Sequence, residues 1–459
     1  MLRKPLALAA LAFCALSGAP AQADEAALKA EVEALRAEVA ALKDAVHQMQ
    51  TQRPASAPSA AAPALASAPQ VASAAPQAAT AATANAGQGM PNPGIALGEG
   101  TTLWGYGQMD LNRPTAHAAD TQADLTRAVI GFNHVFDEST RVYGELEWEH
   151  AVASSGDQGE TEVEQLYVEH ALAPNYGVRA GLMLIPLGLL NEHHEPTQFY
   201  GVERNFVEQA IIPTTWREGG ISGYGSTDSG LSWSVGITTA PNLGAWDPAS
   251  DEGRASPLGS IHQELQLAKA HDAALFGALN WQGVPGLTVG GGVFTSKIGQ
   301  DTSKQTDGDA NFPADKSRMT LGEVHARWQT GPFDLSALYT RGTISDTRDL
   351  NLTFIGQPTA VPKSFWGGYA QAAWKALEWN RSSFVPFVRY ERFNTGASYA
   401  SQPAGFDTPS LPTERVWTVG ANYYLNPNVV FKVDYQDFNH DDVALGYGNR
   451  FDLGIGYQF

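Results

Sequence analysis

The sequence predicts an all-β membrane protein: a 16-stranded antiparallel transmembrane β-barrel preceded by a short coiled-coil helix and a disordered Ala/Pro linker. Three observations carry this fold class. From Thr101 onward, apolar and polar residues alternate in strand-length segments. Seven short turns alternate strictly with eight long polar stretches. The chain ends on Phe451-Asp452-Leu453-Gly454-Ile455-Gly456-Tyr457-Gln458-Phe459, apolar at every odd position and small or polar at every even one. An apolar strand face at a free end has no use in water, but lipid would accept it.

The first element, residues 1–23, reads as an export signal. Arg3 and Lys4 supply its charged start, Leu6 to Leu16 its apolar stretch, and Ala21-Gln22-Ala23 a small-x-small cleavage site. That run is too short to span a bilayer as a helix. The single cysteine, Cys14, lies within it, behind Phe13 where a lipid-modified cysteine would follow a small residue. The exported chain is therefore expected to hold no disulfide. No later segment offers the ~20 apolar residues of a membrane helix, which leaves a barrel as the way to cross. The formal net charge is −19, and losing Arg3 and Lys4 makes it −21, a balance that argues against nucleic acid as a partner.

Residues 24–50 carry heptads. Val32, Val39 and Val46 fall at position a, and Leu28, Leu35, Leu42 and Met49 at d. Glu31 and Glu38 at g precede Arg36 and Lys43 at e, the charge pattern of parallel helices in register. A homo-oligomeric coiled coil is expected, and valine at a with leucine at d leans towards two strands. Residues 51–98 are almost wholly Ala, Pro, Ser, Gln and Thr, which cannot bury a core and suit a spacer.

Residues 99–459 form the barrel domain. The short turns are Phe136–Thr140, Ala173–Gly177, Ser226–Gly230, Gln282–Gly286, Thr330–Pro332, Glu378–Arg381 and Asn426–Asn428, rich in the Gly, Pro, Asn and Asp of tight hairpins. The long stretches centre near residues 118, 156, 200, 255, 308, 354, 404 and 444. Seven short and eight long connections join sixteen strands and put both barrel ends on the short-turn side, expected to be the periplasm. Within strands, Val142, Gly144, Leu146 and Trp148 oppose Tyr143, Glu145, Glu147 and Glu149, and Phe333, Leu335, Ala337 and Tyr339 oppose Asp334, Ser336 and Thr340. One face is apolar with aromatics near the strand ends, and the other is polar as a wet lumen requires.

Through the terminal Tyr457-Gln458-Phe459 and the short-turn/long-loop rhythm, residues 100–459 resemble Gram-negative outer-membrane porins. The coiled coil with its linker resembles the phosphate-selective O/P-type and dicarboxylate-type porins that carry a periplasmic coiled coil. The resemblance implies a 16-stranded trimer in outer-membrane lipid for passive uptake of small hydrophilic solutes, without a cofactor. Phosphate-selective members use a ladder of lumen lysines. Here the barrel lysines are Lys269, Lys297, Lys304, Lys316, Lys363, Lys375 and Lys432, mostly in loops, so the ladder is missing and the solute stays open.

The third long connection, Pro186–Thr214, differs from the others. It carries Leu187, Leu189, Leu190, Phe199, Tyr200, Phe206, Ile211 and Ile212, too apolar for a loop in water. Folded against the inner wall it would narrow the pore, as the third loop of porins does. Its Glu192, His193, His194, Glu195, Glu203, Arg204 and Glu208 are then the candidate constriction residues. Candidate wall charges are Glu145, Glu147, Glu149 and Glu169, an acidic wall near Arg179, with Arg127, Arg217, Arg327, Arg389, Arg415 and Lys432 as basic positions. Glu192-His193-His194-Glu195 lacks HExxH spacing, so no metal site is expected. No G-x-S-x-G accompanies the scattered histidines, so no enzyme is expected. The alternatives are a barrel that anchors an envelope tether and, further off, an outer-membrane hydrolase.

Overall fold

The computed structural model describes residues 94–154, 156–301, 313–439 and 448–459. The expected export signal, coiled coil and linker up to residue 93 lie outside the described residues.

The sheet is built from β1 (Thr101–Pro114), β2 (Gln122–Val135), β3 (Thr140–Glu149) and β4 (Thr161–Ala173). Next come β5 (Tyr176–Leu184), β6 (Arg217–Ser226), β7 (Leu231–Thr239) and β8 (Ala273–Val284). Then follow β9 (Leu287–Lys297), β10 (Arg318–Thr330), β11 (Phe333–Ile344) and β12 (Ser364–Trp374). The last four are β13 (Ser382–Ser398), β14 (Glu414–Asn426), β15 (Val429–Phe438) and β16 (Arg450–Gln458). Leu377–Trp379 extends β12 along β13. Ile95–Gly98, assigned from sequence to the end of the linker, is instead a short strand paired with β1. Each strand pairs antiparallel with its sequence neighbours, and β16 pairs with β1, closing the ring at sixteen strands. The terminal residue completes the seam: Phe459 N donates to Gly105 O at 2.9 Å and Gly105 N to Phe459 O at 3.2 Å.

All seven short turns and all eight long connections fall where the sequence places them. The turn chemistry is local. Asp137 accepts from Ser139 N, Ser139 Oγ and Thr140 N at 2.8 Å each, and these bonds hold its carboxyl down at about 2. Gly286 sits at φ 76°, and a Cβ there would meet Gln329 O at 2.1 Å, so this turn needs glycine twice over.

The outer face is apolar. Ile221, Ile237, Leu275, Val324 and Val419 lie exposed along it, with Trp281, Trp328, Phe333, Trp374 and Tyr457 near the short-turn end and Trp148, Tyr339, Trp417 and Phe451 near the other. These are the two aromatic girdles of a membrane barrel. No helix among the described residues is long and apolar enough to cross a membrane.

The inner face departs from a uniformly polar lumen. In β10 the inward residues change along the strand: Met319 and Leu321 are fully buried near the long connection, and Glu323, His325 and Arg327 follow towards the short turn. Phe276, Phe294, Leu338, Phe365 and Phe393 continue the apolar part on neighbouring strands. They pack in one cluster with Leu187, Phe206, Ile211 and Trp216 of the third connection and with Leu243, Trp246, Leu258 and Ile261 of the fourth. The wall is apolar inside where a loop rests on it, because loop side chains withdrawn from water need apolar partners.

Candidate functional site: an inward-folded connection on a charged wall

The connection between β5 and β6 starts and ends in one clasp. Asn191 Nδ2 donates to Ile185 O at 2.8 Å and Trp216 O at 2.9 Å, and its Oδ1 accepts from Trp216 N at 2.7 Å. From there the segment crosses the barrel. Thr197 Oγ1 donates to Gln458 of β16 at 2.7 Å, and Val202 N to Asp434 of β15 at 2.6 Å. Asn422 of β14 donates to Phe199 O at 3.1 Å, and Arg389 of β13 to Tyr200 O at 3.0 Å. Tyr200 donates to Asp334 of β11 at 3.2 Å. The wall thus satisfies backbone groups that a buried loop would otherwise strand.

Of the candidate loop residues, Glu192, Glu195 and Glu203 are half-buried and His193 is exposed. Glu203 accepts from Asn112 at 3.1 Å and lies 3.9 Å from Arg450. His194, Arg204 and Glu208 are buried. Glu208 accepts from Leu189 N (2.6 Å), Leu190 N (2.8 Å), Asn205 Nδ2 (2.8 Å) and Tyr369 Oη (2.9 Å), which ties both arms of the loop to β12. Arg204 donates to Thr215 at 3.0 Å, and burial, together with Arg127 nearby, pulls its guanidinium down to about 10. Burial also pulls the His194 imidazole down, but Glu164 and Glu145 beside it win and raise it to about 10.

Most wall charges sit in local pairs, on adjacent strands, along one strand or with a connection. Glu169 holds Arg141 and, at 2.7 Å, Arg179. Arg217 holds Glu162 and, at 2.9 Å, Glu264 of the fourth connection. Arg327 grips Asp334 with two bonds of 3.0 and 2.7 Å, and Arg389 reaches Glu391 at 2.7 Å. Lys432 is buried with its Nζ 3.4 Å from the centroid of the Phe199 ring. Glu145 and Glu147 are buried and Glu149 half-buried, all facing inward on β3. Arg127 faces the same group and donates to His194 O at 3.2 Å.

Arg415 is the exception. It shares parity with Trp417 and Val419, which are exposed on the outer face, so it points outward and does not line the lumen. Its register partner Arg392 is also outward, over the Trp366 ring at 5.5 Å. Both lie near the long-connection rim, where a guanidinium can leave the hydrocarbon for headgroups.

Sequence reasoning missed Glu164. Between Glu145/Leu146 and Gln165/Val163 the register slips by one residue, and the β-bulge turns Glu164 inward as well as Gln165. Strict alternation would send one of two consecutive residues outward. Tyr106 and Glu391 were also missed, and each shares an inward parity with a neighbour on its own strand; Asp334 was placed on the lumen face but not named among the wall charges.

Residues 300–459 match the family described as Phosphate-selective porin O and P. An uncharacterized protein of Aquifex aeolicus is 28% identical over 356 residues, which cover 75% of this chain and 77% of that protein. Among solved structures, OmpF of Salmonella typhi, in a complex with daunomycin, aligns with a TM-score of 0.54 at 18% identity over 78% of this chain and 97% of its own. The outer-membrane channel DcaP of Acinetobacter baumannii aligns at 0.50 and 13% identity over 80% and 100%. The described part of this chain has the barrel fold of these outer-membrane proteins, and its C-terminal third matches the model of the phosphate-selective porin O and P family.

Proposed function

We propose that the barrel is a passive outer-membrane channel for small hydrophilic solutes or ions, narrowed by its third long connection. The observation that carries this reading is the crossing of Ile185–Trp216 through the barrel, with Glu192, Glu195 and Glu203 left half-exposed on it. Charged groups at a narrow point set ion selectivity. The long connections would face the outside and the short turns the periplasm, with the coiled coil of residues 24–50 there, reinforcing a homotrimer.

Planar-bilayer conductance tests the reading. Purified protein should form steps of ohmic current, and Glu192→Gln, Glu195→Gln and Glu203→Gln together should move the reversal potential in a salt gradient towards anions. Absence of conductance from folded, inserted protein would favour an envelope tether anchored by the barrel. Arg204→Gln is not a selectivity probe, because Arg204 is sealed against Thr215 and its loss should instead disturb the loop.

A further inference from the structure

Four side-chain donors from three strands and the third connection converge on one point. Tyr106 Oη of β1 lies 2.8 Å from His194 Nε2, 2.9 Å from Glu145 Oε1 of β3 and 3.2 Å from Glu164 Oε2 of β4. His194 Nε2 lies 3.8 Å from that Glu145 oxygen and 3.7 Å from that Glu164 oxygen. Donor atoms of Glu145, Glu164 and His194 all fall within 4.8 Å of one another. A tetrahedral cation with bonds of about 2.0 Å keeps its donors about 3.3 Å apart, in the middle of these separations. The four residues are 0–3% exposed.

Two further observations point to a cation. His194 Nδ1 donates to Asn191 O at 2.9 Å, so Nδ1 carries a proton and Nε2 faces the three oxygens. That second contact orients most metal-bound histidines. Glu164 Oε1 and Glu147 Oε1 are buried without a hydrogen-bond partner, and Glu147, Glu162 and Glu164 bring a second trio of carboxylates together around the same residue. Buried carboxyl oxygens facing one another call for a shared proton or a positive partner. Arg127 and Arg204 approach the group, but neither is among the hydrogen-bond donors to Glu164.

We propose that Tyr106, Glu145, Glu164 and His194 bind a divalent transition-metal cation, zinc being the best match to four-coordinate N/O geometry, and that the cation staples the third connection to the wall. The imidazole, two carboxylates and a phenol suit zinc or manganese better than a soft copper(I) site. On binding, the phenolic proton and the imidazolium proton leave to solvent, and the dication that replaces them keeps the net charge of the four groups unchanged. A proton-shared hydrogen-bond cluster is the competing occupant of the same space.

The experiment uses the full chain in detergent, stripped with a chelator and dialysed against Zn²⁺ or Co²⁺. One tightly held zinc per chain is expected, with the intense visible absorption of tetrahedral Co²⁺ in its place. His194→Ala and Glu164→Gln should each weaken binding about ten-fold or more. His193→Ala, one residue away but exposed, and His325→Ala, a buried histidine beside Glu323, should leave it intact. Heat-dependent gel mobility checks that each variant is folded. No bound metal in the wild type, an octahedral cobalt spectrum, or unchanged binding in folded His194→Ala overturns the proposal. Should both ligand variants fail to fold, the wild-type cobalt spectrum decides by itself.

Discussion

Glu208 offers the sharpest test of how the third connection is held. Its carboxylate takes four donors, from Leu189 N, Leu190 N, Asn205 and Tyr369, and it is buried. In Glu208→Ala those donors lose their acceptor. A stranded buried donor costs about 1–3 kcal/mol. Leu189 is only part-buried and a loosened arm lets its donors reach water, so the loss stays near the low end for four, about 4 kcal/mol. Against this stand Phe206, Val207, Ile211 and Ile212, all essentially fully buried. At about 1.5–3 kcal/mol each they contribute about 6–12 kcal/mol to docking. The apolar anchor therefore outlasts the loss of the carboxylate, and the loop stays in the barrel while its arms come loose. Single-channel recordings of Glu208→Ala should show greater open-channel current noise at a mean conductance close to wild type. Limited proteolysis should gain cleavage within residues 185–216 with the strands still protected. Adding Phe206→Ala and Ile211→Ala removes about half the apolar anchor, and conductance should then rise to that of an open barrel. If Glu208→Ala matches wild type in both noise and cleavage, the carboxylate is not a staple and the reasoning fails.

Other outcomes follow from single positions. Gly105→Val should block closure of the seam, because a Cβ there would lie 2.5 Å from Val129 O and 2.9 Å from the Phe459 ring; unboiled samples should run as unfolded chain on gels. Gly188→Ala should mimic Glu208→Ala in current noise, since Gly188 sits at φ 85° and its Cβ would meet the Glu208 carboxylate at 2.3 Å. Arg415→Gln should leave the reversal potential unchanged, whereas Arg327→Gln, partly exposed inside the barrel, should move it towards cations. Deleting residues 24–50 should lower the native mass in mild detergent if the heptads reinforce the oligomer; an unchanged mass would assign assembly to the barrel alone.

The strands and turns were legible because lipid enforces them. A lipid-facing side chain has no polar option, so the outward residues of β11, from Phe333 through Tyr339, announce their period of two. The pairing of Glu169 with Arg179 was also within reach, since a short hairpin fixes that register. Two kinds of information were not. Parity fails at a bulge, and Glu164 lies in one. Parity also needs a reference residue: Arg415 was read as inward although Trp417, two positions on, already marked that face as outward. The convergence of Tyr106, Glu145, Glu164 and His194 spans 88 positions between its outer members, and no local spacing encodes it.

The apolar third connection and the apolar patch inside the barrel are two halves of one fact. A wet lumen gives Phe294, Leu321, Leu338 and Phe393 no reason to face inward, and their burial shows that the loop and its neighbours cover them. Strands β1 to β5 contribute nothing to that cluster; they keep their charges and meet the loop through hydrogen bonds instead. The loop therefore crosses from a polar wall to an apolar one, and its sequence changes in step. Glu192 to Gln198 faces the charged strands, and Phe206 to Ile212 faces the apolar cluster. A barrel with this division does not hold its constriction by charge alone, so raising ionic strength should not release it. Phe393→Ala, by contrast, removes the ring stacked 6.0 Å from Phe206 and should cost about 3–5 kcal/mol of packing. That change should widen the channel at any salt concentration. A conductance gain that vanished at high salt would instead assign the anchoring to the ion pairs.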